Sequence, residues 1–230
     1  PAIRESVLKS GWRGTYQFDE YFDAMAKSGA NWIRMWMCSW WCGLEWYHEW
    51  PGYGGTGRYN MPNAWRLDHV VDRAHEAGVY IQLCLENHGQ TSIRIDHEWE
   101  YHPYNKYLPE AHDNKDAKDK ELRIRPGRRN DRRFRRPGGW LTHPADFYRD
   151  AKAIEQRKKL FRYIIARWGY SPNILAWVLS SELDFTGEYW RVQYGRDDHE
   201  KKHGRWSQQG VDRSVNTQNW HRIMIRYLRE

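Results

Sequence analysis

Long apolar runs are missing from this chain. No stretch approaches the roughly 18 consecutive apolar residues of a membrane span, so no membrane partner is expected. Cysteine is scarce: Cys38, Cys42 and Cys84 are the three present among 230 residues. That set does not make a disulfide framework. Cys38 and Cys42 could pair across a local turn or join His48 on a metal, but one loose cluster is a weak metal signal. Buried, inert thiols are the simpler reading. A nucleotide-binding glycine fingerprint is also lacking. Gly52, Gly54, Gly55 and Gly57 lie among Tyr and Pro, without a phosphate-loop lysine and hydroxyl pair. No compact H-E-x-x-H motif occurs, and no metal or organic cofactor is implied.

What the chain does have is aromatic area and positive charge. The hydrophobic fraction is 40%, slightly low, but 15 Trp and 15 Tyr supply enough apolar surface for a sizeable core. The length allows one large domain or two small ones. The chain opens at Pro1 rather than Met. Processing fits that start, and with it a secreted or periplasmic location; a shortened or incomplete chain fits it equally, so the compartment stays undecided. The net charge is +7, and residues 110–139 hold 11 Lys/Arg against 6 Asp/Glu. Arg128, Arg129, Arg132, Arg133, Arg135 and Arg136 crowd one short stretch that could touch a polyanion. The run has a single interleaved aromatic, Phe134, and no nucleic-acid module. Residues 106–139 therefore read as a charged, solvated insertion, and nucleic acid is a disfavoured partner.

One structural phrase repeats along the sequence. Phe18, Tyr21, Phe22 and Met25 follow the spacing of a one-sided helix. Gly29 ends it, and Asn31–Trp36 reads as a strand. Leu67, Val70, Val71 and Ala74 repeat the helix, Gly78 ends it, and Val79–Leu85 reads as the next strand. Phe161, Ile164, Ile165 and Trp168 make a third helix, closed by Gly169 and Ser171-Pro172 before a strand at Leu175–Ser180. Trp220, Ile223, Met224, Tyr227 and Leu228 mark a fourth helix. Three helix–glycine–strand units predict an α/β fold with parallel strands and helices outside. Long excursions follow the strands at 37–64, 86–145 and 183–212, while the helix-to-strand turns are short. A site is thus expected at the C-terminal ends of the strands.

Three segments carry a resemblance. They are Gly29-Ala30-Asn31-Trp32-Ile33-Arg34-Met35-Trp36, then Gly78-Val79-Tyr80-Ile81-Gln82-Leu83-Cys84-Leu85-Glu86-Asn87-His88-Gly89, and Arg167-Trp168-Gly169-Tyr170-Ser171-Pro172-Asn173-Ile174-Leu175-Ala176-Trp177, leading into Ser181-Glu182. In order and spacing they resemble strands two, three and four of the cellulase-like (β/α)₈ glycoside hydrolases, the barrel clan with paired glutamates. The resemblance implies a single partial TIM-barrel-like domain over 1–230. It implies that Glu182 is the general acid/base. Arg34 matches the strand-two arginine that supports the nucleophile, and His88 the strand-three histidine region beside the sugar site. The family carries asparagine before its acid/base glutamate, and here Ser181 stands there, with shorter reach and no amide. The nucleophilic glutamate of the family ends strand seven, while these residues resemble only strand two to helix four. The expectation is a chain that is incomplete or completed by another subunit.

The residues bear the chemistry out on their own terms. Glycoside cleavage needs one carboxylic acid to protonate the leaving oxygen and a second carboxylate to attack the anomeric carbon or activate water. Glu182, at a strand's C-terminal end, is suited to the first task. Glu86 ends the neighbouring strand and reads better as a polar lining residue or ion-pair partner than as the nucleophile. Asn87 and His88 follow it as candidate site residues, His88 either a ligand contact or a satisfied structural histidine, and Asp184 either tunes Glu182 or caps the next turn. Arg34 on an apolar strand is costly to bury without acceptors. Trp36, Trp40, Trp41, Trp46, Tyr47 and Trp50 crowd the first excursion, some to pack it down and one or two to line a cleft. The leading expectation is a glycosidase-like module for a β-linked oligosaccharide or polysaccharide, retaining if completed. The alternative is a noncatalytic carbohydrate-binding or interaction protein on a partial barrel. Its open strand edges call for a homo-oligomer or a completing subunit.

Overall fold

The protein is described by a computed structural model covering residues 13–48, 50–92, 98–106, 139–186 and 215–230. The basic run at 107–138 and most of the third excursion lie outside the described residues. Among the described residues, four α-helices and three strands follow in the order α1 (Arg13–Ser28), β1 (Trp32–Trp36), α2 (Met61–Glu76), β2 (Tyr80–Cys84), α3 (Ala151–Trp168), β3 (Ile174–Val178) and α4 (Val215–Arg229). The strands form one parallel sheet in the order β1-β2-β3. The fold is therefore α/β, with a small parallel sheet. No helix among the described residues is long and apolar enough to cross a membrane.

The chain divides into two compact units. The first comprises the chain up to Trp46, Gly52–Asn87 and Lys158–Ser181; the second comprises Tyr47–Pro51, His88–Arg157 and the chain from Glu182.

In the first unit, two helix ends are built alike. Gly29 and Gly78 adopt φ of 77° and 68°. At the first, Gly29 N–H donates to Ala26 O and Ala30 N–H to Met25 O; at the second, Gly78 N–H donates to His75 O and Val79 N–H to Ala74 O. This pair of bonds is the Schellman closure, which needs a left-handed residue just beyond the helix. Glycine supplies it without a Cβ penalty. Gly169 has a different reason: an added Cβ would stand 2.5 Å from Ile165 O, so close backbone approach fixes glycine there.

Each strand is one or two residues shorter at its ends than the apolar runs predict. Asn31, Val79 and Leu85 fall outside the paired segments, and β3 begins one residue early at Ile174 and stops at Val178. Apolar character extends into strand ends that have no ladder partner on both sides, so composition overruns pairing. Register pairs Trp32 with Tyr80, Arg34 with Gln82 and Trp36 with Cys84. A bulge between Ile81 and Gln82 shifts β3 against β2 and leaves Leu175 61% exposed.

Side chains alternate between the faces of the sheet. Met35, Ile81 and Leu83 are buried, as are Leu67, Val70, Val71 and Ala74 of α2 and Phe161, Ile164 and Trp168 of α3. Each such apolar side chain contributes roughly 1.5–3 kcal/mol when fully buried. The opposite face holds Trp32, Arg34, Trp36, Tyr80, Gln82 and Cys84; its Trp32 and Tyr80 are 51% and 43% exposed. Parallel sheets are normally covered on both faces; here the Trp32–Tyr80 end is open while Cys84, at the other end of the same face, is buried.

Among its described residues, the second unit has short 3₁₀ turns at His88–Thr91, Glu98–Tyr101, Pro144–Tyr148 and Leu183–Phe185 beside α4 and the first turns of α3. Its core is aromatic. Trp220 of α4 lies 6.0 Å from Phe147 and 5.6 Å from Tyr148, centroid to centroid. Tyr104 stacks on Trp140 at 4.5 Å. A Cβ on Gly139 would meet the Tyr104 carbonyl carbon at 2.2 Å, so that close pass requires glycine.

Candidate functional site

The first unit sets the strand exits side by side. Beyond the paired residues, Met37 N–H donates to Cys84 O at 2.9 Å, Leu85 N–H to Val178 O at 2.8 Å and Ser181 N–H to Glu86 O at 3.0 Å. These bonds carry the parallel alignment past the strand ends. Glu86, Asn87 and Ser181 are all buried there. Arg34 reaches across: its guanidinium donates to Ser181 Oγ, its Nε to Cys84 Sγ at 3.4 Å, and its Cζ lies 5.6 Å from the Trp36 ring centroid.

The Arg34 charge is not buried. The side chain is exposed, and its contacts among the described residues are a hydroxyl, a thiol and a ring. Neutral acceptors satisfy donors without cancelling charge, and solvent carries the remainder of the solvation that burial would have removed.

Of the aromatic cluster, Trp41, Trp46 and Tyr47 are buried, while Trp36, Trp40 and Trp50 are part-exposed. Trp41 packs 4.8 Å from Phe18 in the first unit. In the second, Trp50 lies 5.5 Å from Tyr101. The three cysteines are buried free thiols. Burial, reinforced by Cys38, pushes the Cys42 thiol well above its ordinary range, which keeps it protonated and inert. His48 is exposed, and among the described residues no group of three His, Cys, Asp or Glu side chains could hold a metal ion.

The second unit holds the carboxylate. Glu182 follows β3 by four residues and opens the Leu183–Phe185 turn. Its backbone is left-handed, with φ 54° and ψ 50°. No other non-glycine among the described residues has positive φ. The left-handed region costs an L residue roughly 1–2 kcal/mol, and such strain persists where surrounding structure over-determines it. Phe185 N–H donates to Glu182 O at 3.0 Å, and Thr186 Oγ1 donates to Leu183 O at 2.7 Å. These bonds hold the turn closed around the strained residue.

The side chain of Glu182 meets His88. Glu182 Oε2 stands 3.1 Å from His88 Nδ1, with side-chain exposures of 35% and 4% respectively. The Phe185 ring meets the His88 ring edge-on at 5.4 Å. The imidazole is thus fixed from one side by an apolar ring and faces a carboxylate that solvent still reaches. An acid–base couple with one accessible partner can donate or accept a proton from a bound molecule. Asp184 lies inside the same 3₁₀ turn, half-buried.

Sequence reasoning missed a second charged cluster in this unit. His102 and Arg157 are buried, and Arg157 Nη2 donates to His102 Nε2 at 3.1 Å. The Arg157 guanidinium lies 4.7 Å from the Tyr104 centroid and 5.1 Å from that of Phe147. Ring faces attract a desolvated cation, which is how an arginine is accommodated this deep. Burial, and secondarily the Arg157 charge, hold the His102 pKa well below the ordinary histidine value. The aromatic density of 98–104 and 140–148 was the available signal, hidden inside an excursion read only as a loop.

No protein-family model matches this chain, and no curated protein matches it.

Proposed function

We propose that this chain belongs to a glycoside hydrolase directed at a β-linked glycan, with Glu182 as general acid/base. On this reading the residues form strands two to four of a (β/α)₈ barrel. The observation that carries the reading is Glu182 itself: a strained, left-handed glutamate just past a parallel strand, its carboxylate 3.1 Å from a buried histidine. Parallel α/β folds do their chemistry at the C-terminal ends of strands. Strain at one polar residue there favours a functional reason for keeping it.

The sheet supports the barrel. Its three strands are parallel, one face is packed by helices, and the Trp32–Tyr80 end of the other is open. Further strands continuing the same phrase would cover that face and pair the edges of β1 and β3.

In the proposed reaction Glu182 protonates the glycosidic oxygen as the bond to the leaving group breaks. A second carboxylate attacks the anomeric carbon from the other face, and Glu182 then deprotonates the water that hydrolyses the glycosyl ester. Two successive displacements at the anomeric carbon retain its configuration. His88 positions Glu182.

The test uses the full-length protein with aryl β-glycosides, soluble β-glucans and β-mannans. Glu182→Gln should lower turnover by about 10²–10⁴-fold, the usual worth of a positioned proton donor. Sugar binding with no turnover in the unmodified protein would instead identify a noncatalytic carbohydrate-binding protein. Turnover unaffected by Glu182→Gln removes Glu182 from the mechanism.

A further inference from the structure

We propose that the outer faces of α1 and α2 carry a second glycan-contact surface, made by Tyr16, Trp65, His69 and Asp19. The ligand class rests on the glycan reading above; the surface itself rests on separate residues. The solvent side of an amphipathic helix is ordinarily polar. Here Trp65 is 49% exposed and Tyr16 41% exposed. Both rings frame one imidazole. Trp65 lies nearly parallel to His69, 6.2 Å between centroids with planes 25° apart, and Tyr16 meets it edge-on at 5.1 Å and 76°.

The polar groups between the rings are fixed. His69 Nε2 is 2.9 Å from Asp19 Oδ1, and Arg73 Nε stands 3.4 Å from the same oxygen. Arg73 is itself braced by Asp23 at 3.3 Å and by Glu76. A pyranose presents an apolar C–H face and a rim of hydroxyls. The negative faces of Trp and Tyr suit the first; a carboxylate and an imidazole already held in place suit the second. Groups ordered before binding lose less freedom when the ligand arrives.

Two features select among ligands. Asp19, Asp23 and Glu76 surround a single arginine, so the surface is net acidic and favours a neutral glycan over an acidic one. Two half-exposed rings offer on the order of 200 Å², about a quarter of the roughly 800 Å² per partner of a stable protein interface. A sugar chain needs no larger area.

The test is affinity electrophoresis of the full-length protein through soluble mixed-linkage β-glucan and soluble β-mannan, comparing Trp65→Ala, Trp65→Phe and Glu182→Gln. Trp65→Ala should weaken retardation by about tenfold or more, equal to about 1.4 kcal/mol. Trp65→Phe should keep most of it, and hydrolysis of a small aryl β-glycoside by Trp65→Ala should be unchanged. Retardation equal to the unmodified protein in Trp65→Ala overturns the proposal. So does a dimer that Trp65→Ala splits in size-exclusion chromatography, which makes the patch a protein interface. If neither polymer is retarded, this surface falls while aryl-glycoside hydrolysis still judges Glu182. If Glu182→Gln leaves hydrolysis intact but retardation still depends on Trp65, the active-site reading falls and this surface stands.

Discussion

The two units of this protein are held together by different means. The first is a layered sheet-and-helix body whose core mixes aliphatic side chains with rings: Ile81, Leu83, Leu67, Val70 and Val71 are essentially fully buried, and so are Phe22, Phe161 and Trp168. Its ion pairs lie at the rim, where Arg167 grips Asp68 through Nε at 3.0 Å and Nη2 at 2.6 Å. Among its described residues, the second packs short turns and α4 around stacked rings, and it buries a histidine and an arginine among them. Repeating elements let a chain bury apolar area with regular backbone bonding. Large rings bury much area apiece, but polar groups enclosed among them must be accommodated inside.

The sharpest way to break this comparison is to remove a ring from the second unit. Trp220→Ala should cost about 3–5 kcal/mol, as large-to-small changes at fully buried aromatics do. Denaturant unfolding measures the loss, and hydrogen exchange locates it. Protection should fall in α4 and 144–148. An equal fall in β2 amides would show that the division into two units has no energetic meaning.

The corresponding test in the first unit is Asp68→Ala. It strips Arg167 of a bidentate partner and leaves the buried Trp168 indole N–H, now 2.8 Å from Asp68 Oδ1, without its acceptor. A loss of about 1–3 kcal/mol is expected, with Asp68→Asn losing less because an amide oxygen still accepts from Trp168. A loss as great as that of Trp220→Ala would mean that the rim, not the buried core, holds this unit.

The units should also differ in acid. His102, and to a smaller degree His221, have pKa values pushed below the ordinary one, in both cases chiefly by burial. Both lie in the second unit. The unfolded chain takes up a proton near pH 6.5, whereas the folded one resists until lower pH. Stability is therefore complete above about pH 6.5 and declines as pH falls below it, by at most about 1.4 kcal/mol per pH unit per histidine. Thermal melts between pH 7.5 and 5 should show the decline, and His102→Gln should flatten it. A slope unchanged in His102→Gln would assign the acid sensitivity to other groups.

The smallest effect concerns the strained glutamate. Glycine replacing an ordinary helix or strand residue costs roughly 0.5–1 kcal/mol. At Glu182 it should cost nothing or stabilise by up to about 1 kcal/mol, because φ 54° suits glycine. Thermal melts of Glu182→Gly and Glu182→Ala decide this. The glycine variant melting below the alanine variant would show that no strain resides there.

Much of the first unit was legible in the sequence because its signals are local. Phe18 and Phe22, or Leu67, Val70, Val71 and Ala74, mark a helix face within a few residues, and Gly29 and Gly78 sit where the Schellman closure needs them. The start of α3 was not legible. Its apolar spacing emerges only near Phe161, but the helix begins at Ala151, where Asp150 Oδ1 accepts from Ala153 N–H at 2.8 Å and from Trp140 Nε1 at 2.8 Å. The first turns of that helix are polar, and the cap is tied to a residue ten positions upstream.

The sequence by itself determined the helix–glycine–strand phrase, the parallel α/β class and the position of Glu182 after a strand, since each depends on neighbours within about ten residues. Only the tertiary structure decided that His88 meets Glu182 across 94 positions of chain, that Arg34 reaches Ser181 from an exposed strand position, and that Arg157 rests among the rings beside His102. Those contacts join segments far apart in sequence, and packing and hydrogen-bond geometry set them, not spacing along the chain.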